Sequence, residues 1–451
     1  MGRKDWWLVE TIGAAKKHLE VKMCSIKTAR FVKRGYVIMN SIYENVESNV
    51  RSYCRKYPIS FDGAYGSKLY AGGVEYIDFL AVAGSMNYGH NNPYIKKAIM
   101  NYLGENRPIN LLDMYTPAKE EFLFTFKTEI LMPRNLDYKI MCCGPTGTNG
   151  VEAAIKLSRK NTKRTEIIAF SGAFHGMTLG SLAFTTDRMS REGSGVLLNH
   201  VTHIPYDGNG AVDSIEYLRW LLEDDHSGVD KPAAIILETV QAEGGVNIAS
   251  VKWLRAVRDI CDAYDILLIV DDIQVGNGRT GEFFSFERAG IVPDMVVLSK
   301  SISGFGLPMT LLLIRPDLDI FRPAEHNGTF RGNQLGFVGG TAAVKYFNKY
   351  NVSAEVKRKE FIVREYMDEY ISRIDTRIKC RGIGLLWGID LCNIDPGMSR
   401  IIMKKAFENR LIIELAGRHD SVIKIMPPLV IEDEVLIEGL EILRKVVQNE
   451  I

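Results

Sequence analysis

The fold is decided by residues 266–308, ILLIVDDIQVGNGRTGEFFSFERAGIVPDMVVLSKSISGFGLP. Two short apolar runs rich in β-branched residues, Ile266–Val270 and Met295–Leu298, predict two buried parallel strands. An acid, Asp271, ends the first run, and a lysine, Lys300, comes just after the second. Ligands bind beyond the carboxyl ends of the strands in an open parallel sheet. The sequence therefore predicts that a carboxylate and an amine face one pocket.

Strands and helices alternate over much of the remaining chain. Residues 251–265 place apolar side chains at helical spacing, and Ser250 stands where an N-cap is expected. Strands that alternate with amphipathic helices predict an α/β fold with a mostly parallel sheet, covered on both faces. The further candidate strands are Lys139–Cys142, Glu166–Phe170, Ala234–Leu237 and Leu311–Ile314.

The length of 451 residues indicates two lobes, because it is too great for one small core. A helix is predicted over 42–57, ending before Pro58. After residue 340, long helical stretches surround a β-like run at 383–391, and a final helix follows Glu432. We expect these segments and the N-terminal strands to form a smaller, discontinuous α+β domain. The predicted division is a basic N-terminal extension over 1–41, the N-terminal segment of the small domain over 42–95, a large cofactor-binding domain over 96–340 and the C-terminal small domain over 341–451.

Composition argues against several classes of protein. The formal net charge of +1 gives no reason to expect a nucleic acid as partner. No segment is apolar enough to span a bilayer, and the N-terminus lacks the apolar core of a signal peptide. The seven cysteines contain no CxxC pair, which favours reduced thiols in the cytoplasm over a disulfide framework or a metal site. The basic extension is either a solvated helix or an arm for a partner.

A glycine-rich turn, GPTGTNGVEAAIKLSRK at 144–160, follows one predicted strand and opens a helix near Asn149. Gly147 lets the backbone approach a ligand, and Thr148 adds a hydroxyl. The free N–H groups at the start of a helix favour a phosphate. The turn is neither a P-loop nor a dinucleotide fingerprint, and this argues against a nicotinamide-dependent dehydrogenase.

Aromatic and acidic side chains follow two further strands. Phe174 could stack on a flat ring or pack in the core, and His175 alone is more often structural than catalytic. Glu238 and Glu243, in ETVQAEGG, could position amino groups of a substrate or basic side chains, although such acids are usually caps or solvated.

The acid and the amine of the opening stretch suit pyridoxal phosphate. A carboxylate at Asp271 would keep a pyridine nitrogen protonated by raising its pKa. Lys300 follows an apolar strand, so partial burial would lower the pKa of its amine and make it nucleophilic enough to form an imine with the cofactor. Gln274 could donate to the phenolic oxygen of the ring.

From about residue 42 to its end, the chain resembles the class III pyridoxal-phosphate-dependent aminotransferases of fold type I. The resemblance rests on motifs in a fixed order: the Gly-Thr cradle, the aromatic-His-Gly motif, ExxxxE, DxxQ, the lysine and the threonine of HNGTFRGN. Within this class, the chain is most similar to the diaminobutyrate–2-oxoglutarate group, including the ectoine-pathway type. The matching words include VRSYCRKYP, NYGHNNP, GPTGTNGVEAA, FHGMTLG, VDDIQVG, LSKSISGFGLPM and EHNGTFRGN.

The resemblance implies a role for each matching residue. Lys300 would carry the cofactor, and Asp271 would pair with the pyridinium nitrogen. Thr329, reached from a neighbouring subunit, would complete the phosphate site, which implies a homodimer with active sites at the interface. The other cofactor-binding residues would be Gly147 and Thr148 at the phosphate, Ile273 and Phe174 on the two faces of the ring, Gln274 at the ring oxygen, and His175 and Glu238 nearby.

One departure from the class concerns the substrate. Many members carry an arginine before the C-terminal PPL motif, where this chain has Lys424, which cannot make the two-pronged contact of a guanidinium. Either Lys424 or Arg331 would bind the substrate carboxylate, and Glu243 would manage the charge of the second substrate. The expected reaction exchanges L-2,4-diaminobutanoate and 2-oxoglutarate for L-aspartate 4-semialdehyde and L-glutamate. The alternatives are an ornithine, lysine or 4-aminobutyrate aminotransferase, or a non-catalytic scaffold of the same fold.

Overall fold

The structure, a computed structural model, describes residues 42–210 and 212–451. The predicted basic extension over 1–41 therefore lies outside the described residues. The chain divides into two compact units. The described part of the first, residues 42–62 and 70–74, contains two short helices. The second comprises residues 63–69 and 75–451, and it contains all the strands that follow residue 78 and all the site residues discussed below.

The strands, in chain order, are β1 Gly63–Tyr65, β2 Lys68–Ala71, β3 Val74–Asp78, β4 Lys139–Cys142, β5 Ile167–Phe170, β6 Val201–Ile204, β7 Ala234–Leu237, β8 Val240–Gln241, β9 Asn247–Ile248, β10 Leu267–Asp271, β11 Met295–Leu298, β12 Leu311–Ile314, β13 Lys379–Ile383, β14 Leu386–Asp390, β15 Leu411–Ile412, β16 Glu414–Ala416 and β17 Val422–Ile425.

The α-helices are α1 Ile42–Val46, α2 Tyr53–Lys56, α3 Ala81–Gly84, α4 Pro93–Leu103, α5 Pro117–Phe126, α6 Gly147–Thr162, α7 Leu179–Leu182, α8 Arg188–Arg191, α9 Ser214–Glu223, α10 Val251–Ala263, α11 Gln334–Lys349, α12 Val352–Tyr366, α13 Met398–Glu408 and α14 Asp433–Glu450.

A seven-stranded sheet in the order β4-β12-β11-β10-β7-β5-β6 forms the centre of the second unit. β6, β5, β7, β10 and β11 run parallel to one another. β12 runs antiparallel to both of its neighbours. The fold is thus α/β with a mostly parallel sheet, as predicted, and the candidate strands of the sequence all belong to it.

Both faces of the sheet are covered by helices. Successive side chains of a strand point to opposite sides, so a strand that is apolar throughout must be packed on both faces. In β5, Ile167 and Ala169 pack in an apolar cluster that also contains residues of α6. Phe170 points to the other face, where its ring lies 4.8 Å from that of Trp253 in α10. Ser250 caps α10 by accepting a hydrogen bond from the backbone N–H of Trp253 at 3.1 Å, as predicted.

A second, antiparallel sheet in the order β13-β14-β17-β16 follows the large sheet in sequence. The predicted β-like run at 383–391 is β14 together with the turn that joins it to β13. Near the other end of the chain, β3 pairs in parallel with β15, so residues far apart in sequence share one sheet. The final helix begins at Asp433, directly after Glu432. The domain boundaries at 95 and 340 stay a prediction.

Three details of the sequence prediction were wrong or incomplete. The helix expected over 42–57 is two short helices, α1 and α2. Between them, the Ser48 hydroxyl accepts from the N–H of Val50, a local side-chain contact that competes with helical hydrogen bonds. The helix expected near Asn149 begins two residues earlier, and β6 was not predicted. Among the described residues, no helix is long and apolar enough to cross a membrane.

Candidate active site

A cavity of about 190 Å³ lies at the carboxyl edge of the parallel strands. β10 ends in Asp271, β11 ends shortly before Lys300, and β7 is followed by Glu238. Because these strands are parallel, their carboxyl ends open on the same side of the sheet. The cavity contains ten of the thirteen residues predicted for the site: Gly147, Thr148, Phe174, His175, Glu238, Glu243, Asp271, Ile273, Gln274 and Lys300.

Lys300 has a strained backbone conformation two residues beyond the carboxyl end of β11. Its φ is +53°, a left-handed value that costs a residue with a side chain about 1–2 kcal/mol. Burial lowers the pKa of Lys300 below its usual value, and the Glu243 carboxylate offsets part of that effect. The amine is therefore neutral, and available as a nucleophile or base, at a lower pH than an exposed lysine.

Asp271 is buried and fixed by two donors. Its Oδ2 lies 2.7 Å from Nδ1 of His175, and its Oδ1 accepts from the N–H of Ile273 at 3.2 Å. The backbone of His175 is itself held, because its N–H donates to the Thr185 hydroxyl at 2.9 Å. Within residues 42–210 and 212–451, no arginine or lysine side chain forms an ion pair with Asp271. The carboxylate is thus not paired with an arginine or lysine and lines the cavity, where it can contact a bound group.

The glycine-rich turn leaves space for a ligand at the start of α6. Thr146, the residue before the helix, makes no side-chain cap, so its hydroxyl does not occupy the first N–H groups. A Cβ at Gly147 would lie 2.8 Å from Cδ1 of Ile273. The Thr148 hydroxyl bonds the hydroxyls of Thr178, at 2.6 Å, and Ser181. The arrangement suits a small anion with several oxygen atoms.

Gln274 and Glu238 shape the side of the cavity. The amide of Gln274 donates to the carbonyl of Ala83 at 2.9 Å, while its Oε1 is buried and has no hydrogen-bond partner among the described residues. Glu238 accepts from the N–H of Phe174 at 3.0 Å and so holds that loop. Burial, followed by the charge of Asp271, raises the pKa of Glu238 and favours its protonated form.

Glu243 lines the cavity and binds a buried lysine behind it. The Nζ of Lys424 donates to Oε1 of Glu243 at 2.6 Å and lies 3.0 Å from Oε2 of Glu414. The Lys424 side chain has no exposed surface. Glu414 was not predicted as a site residue. An acid inside the apolar run IIELA is a signal that could have found it, because a buried charge needs a partner.

Besides Lys424, which lies behind Glu243, two predicted residues do not line this cavity within one chain. Thr329 is exposed, and its carbonyl accepts from the side chain of Asn110 at 3.1 Å. Arg331 forms an ion pair with Asp113 and lines a different cavity, beside Cys142. Their roles toward cofactor and substrate therefore stay predictions.

The fold type I transferases combine a mostly parallel sheet with a second, antiparallel sheet. They also place a lysine and an acid at the ends of neighbouring strands, as this chain does. The chain belongs to the class III aminotransferases: the family described as Aminotransferase class-III matches residues 55–447. Two relatives named diaminobutyrate–2-oxoglutarate transaminase are similar over most of the chain. The one from Streptomyces coelicolor is 48% identical over 91% of this chain and 98% of that protein, and the one from Halalkalibacterium halodurans is 47% identical over 90% and 95%.

A solved structure has the same fold. The taurine:2-oxoglutarate aminotransferase from Bifidobacterium kashiwanohense, in complex with pyridoxal phosphate and glutamate, is 24% identical, with a TM-score of 0.78 over 90% of this chain and 96% of that one. Pyridoxal phosphate is the cofactor of class III aminotransferases, and the residues present fit it. Lys300 can hold its aldehyde carbon and Asp271 its ring nitrogen. The uncapped start of α6 can take its phosphate, and the buried amide of Gln274 lacks one polar partner.

Proposed function

We propose that the chain transfers the 4-amino group of L-2,4-diaminobutanoate to 2-oxoglutarate, giving L-aspartate 4-semialdehyde and L-glutamate. The main support for this activity is that Lys300 and Asp271, which follow and end neighbouring parallel strands, line one cavity. The substrate is supported by relatives that are 47–48% identical over nine-tenths of the chain and bear that name.

When bound, pyridoxal phosphate supplies an aldehyde that takes up the amino group and a ring that withdraws electrons from the carbon being deprotonated. Lys300 would release the cofactor to the incoming amine and then move a proton from C4 of diaminobutanoate. Its burial favours this role, because the lowered pKa leaves more of the amine unprotonated at neutral pH.

The remaining side chains bind and orient. Asp271 would hold the proton on the ring nitrogen, and His175 would keep that carboxylate in place. Ile273 and Phe174 would flank the ring, and Gly147 with Thr148 would bind the phosphate. Because its carboxylate opens on the cavity, Glu243 would contact the end of the substrate that does not react.

A homodimer with active sites at the interface is part of the proposal. In one chain Thr329 is exposed and outside the cavity, as expected of a residue that would serve the site of a second copy. Arg331 is the favoured receptor for a substrate carboxylate, since two acids already occupy Lys424. The cytoplasm is the proposed location, supported by six free cysteines in the described chain.

A panel of amino donors tests the proposal. Purified holoenzyme is given 2-oxoglutarate with diaminobutanoate, ornithine, lysine or 4-aminobutyrate, and glutamate and the aldehyde product are quantified. We expect the highest kcat/KM with diaminobutanoate and no turnover by Lys300→Ala. A higher kcat/KM with another donor would reassign the substrate. A protein that binds no cofactor and turns over no donor would support the scaffold alternative.

A further inference from the structure

Lys424 is shared between two carboxylates that come from different parts of the chain. Glu414 stands directly opposite Lys424 in the antiparallel pair of β16 and β17. This places the two side chains next to each other on one face of the sheet. Glu243 comes from the loop between β8 and β9 and reaches Lys424 from the side of the cavity. The strand pairing therefore fixes one ion pair, and the loop supplies the other.

The three side chains differ in their access to the cavity. The side chains of Lys424 and Glu414 are 0% and 4% exposed, whereas that of Glu243 is 32% exposed. Of the three, only Glu243 lines the cavity that contains Lys300. A ligand there would meet the carboxylate of Glu243 first, with the ammonium of Lys424 behind it.

The charges of this group do not cancel, because one ammonium faces two carboxylates. Burial lowers the pKa of Lys424, but Glu243 and Glu414 raise it by more, so the lysine stays protonated. Glu414 already neutralises Lys424, so part of the negative charge of Glu243 is left for the cavity. At a partly buried side chain such as Glu243, this charge attracts a cation and repels an anion.

The other acids of the cavity are engaged differently. Asp271 is bound by His175 and faces the place where a ring nitrogen would lie. Glu238 holds the loop of Phe174, and its raised pKa favours the neutral form. Glu243 is therefore the acid best placed to bind a second ammonium group on a substrate.

We propose that Glu414 is a positioning residue that sets substrate specificity: by holding Lys424, it leaves Glu243 as a receptor for a second ammonium group. The site then selects diamino donors over donors whose far end carries only a carboxylate. This inference rests on the proposed function in one respect, because diaminobutanoate retains its 2-ammonium group while the 4-amino group reacts.

Glu414→Gln tests the inference, because it removes the charge and keeps the size and one hydrogen-bond acceptor. Without that charge, Lys424 would neutralise Glu243. We expect the ratio of kcat/KM for diaminobutanoate to kcat/KM for glutamate to fall about tenfold, equivalent to 1.4 kcal/mol, mainly through KM for diaminobutanoate. The measurement is the half-reaction of the holoenzyme with each donor, followed by the absorbance of the cofactor.

Two further variants separate charge from structure. Glu414→Gln with Lys424→Met removes one positive and one negative charge, so Glu243 regains its free charge and the donor ratio should return to within about threefold of the wild-type value. Asp390→Asn removes another carboxylate of the same sheet, one paired with Arg381, and should leave the ratio unchanged.

An unchanged ratio in Glu414→Gln, or equal losses with both donors, would overturn the inference. So would a double variant that keeps the altered ratio. A wild-type preference for ornithine or lysine would overturn only the proposed substrate, and the ratio would then be measured with that diamine. A preference for 4-aminobutyrate, which has no second ammonium, would overturn both.

Discussion

A buried aspartate lies at each end of the parallel strands of the seven-stranded sheet, one at their amino ends (the amino edge) and one at their carboxyl ends (the carboxyl edge). The two aspartates differ in their hydrogen-bond and ion-pair partners. At the amino edge, Asp294 accepts from the N–H of Leu268 at 2.7 Å and pairs with two guanidinium groups, those of Arg258 at 2.9 Å and of Arg315. At the carboxyl edge, Asp271 has a histidine and a backbone N–H as partners. The first acid is paired with two arginines of the fold, and the second has no such partner and lines the cavity.

The cavities at the two edges support the same distinction. The cavity beside Asp294 has a volume of about 550 Å³, larger than the one of about 190 Å³ beside Asp271. Its walls carry arginines and aspartates that are largely paired with one another. An acid in the cavity wall without an arginine or lysine partner therefore indicates the active site better than the volume of the cavity does.

Asp271→Asn should have the largest effect on activity, because it removes the carboxylate that would pair with the cofactor. We expect kcat to fall by roughly 100- to 1,000-fold, the usual cost of removing one electrostatic partner from a catalytic site. The free energy of unfolding should change little, because Asn can still accept from the N–H of Ile273. Steady-state kinetics and denaturant unfolding of the same preparation check both parts. Full activity in this variant would contradict the role of Asp271.

Asp294→Asn should show the opposite pattern. Removing the buried acid breaks its ion pairs with Arg258 and Arg315 and leaves Arg258 paired with Asp262 alone, which costs about 3 kcal/mol of unfolding free energy. The residue lies at the far edge of the sheet, so kcat of the folded enzyme should stay within about twofold of the wild-type value. Urea unfolding gives the first quantity and the donor assay the second. A fall in kcat without loss of stability would remove the contrast between the edges.

Asp272 offers a second contrast with Asp271. It is the next residue in the chain, yet it lies inside the fold, where its carboxylate accepts a hydrogen bond from the N–H of Ser285. Burial raises the pKa of Asp272 to about 7, so between pH 4 and pH 7 the folded protein holds a proton that the unfolded chain has released. Over this range the wild type loses stability as the pH rises, by at most about 1.4 kcal/mol per pH unit from this group.

Asp272→Asn removes that titration, so the stability of the variant relative to the wild type should rise from pH 4 to pH 7 and then level off. Urea unfolding of both proteins at several pH values provides the measurement, and Asp294→Asn serves as the control buried acid. A difference that does not vary with pH would show that Asp272 stays ionised in the fold.

Ser250→Ala gives the smallest expected effect. The hydroxyl caps α10, which covers the face of the sheet rather than either edge, and its loss should cost about 1 kcal/mol. Activity should not change. Ser250→Asn, which can also cap, should recover most of the loss. Equal destabilisation by the two substitutions would indicate that packing at this position matters more than the cap.

The sequence predicted the strands of the large sheet well because their apolar runs are short, rich in β-branched residues and bounded by polar ones. The direction of each strand, in contrast, could not be predicted from its residues. β12 is as apolar as its parallel neighbours, and nothing in Leu311–Ile314 reports that it runs antiparallel. The segment at 42–57 has helical spacing, but a local contact of Ser48 competes with the helix.

Site residues that follow strands could be predicted because parallel strands open on one edge. Lys300, Asp271 and Glu238 are of this kind. The apolar run around Glu414 could have marked it as a buried acid, but its partner could not be predicted, because Lys424 lies on the neighbouring strand and their contact depends on the register of β16 and β17. The role of Thr329 also stays a prediction, because it was expected to serve a neighbouring subunit, and so does the role of Arg331 toward the substrate carboxylate.

The most direct test of the account is to locate the cofactor. The holoenzyme is reduced with borohydride, digested and analysed by mass spectrometry. We predict that the reduced cofactor is bound to Lys300 and that Lys300→Ala retains none after denaturation. Attachment to another lysine, or a protein that takes up no pyridoxal phosphate, would contradict the assignment of this cavity as the active site.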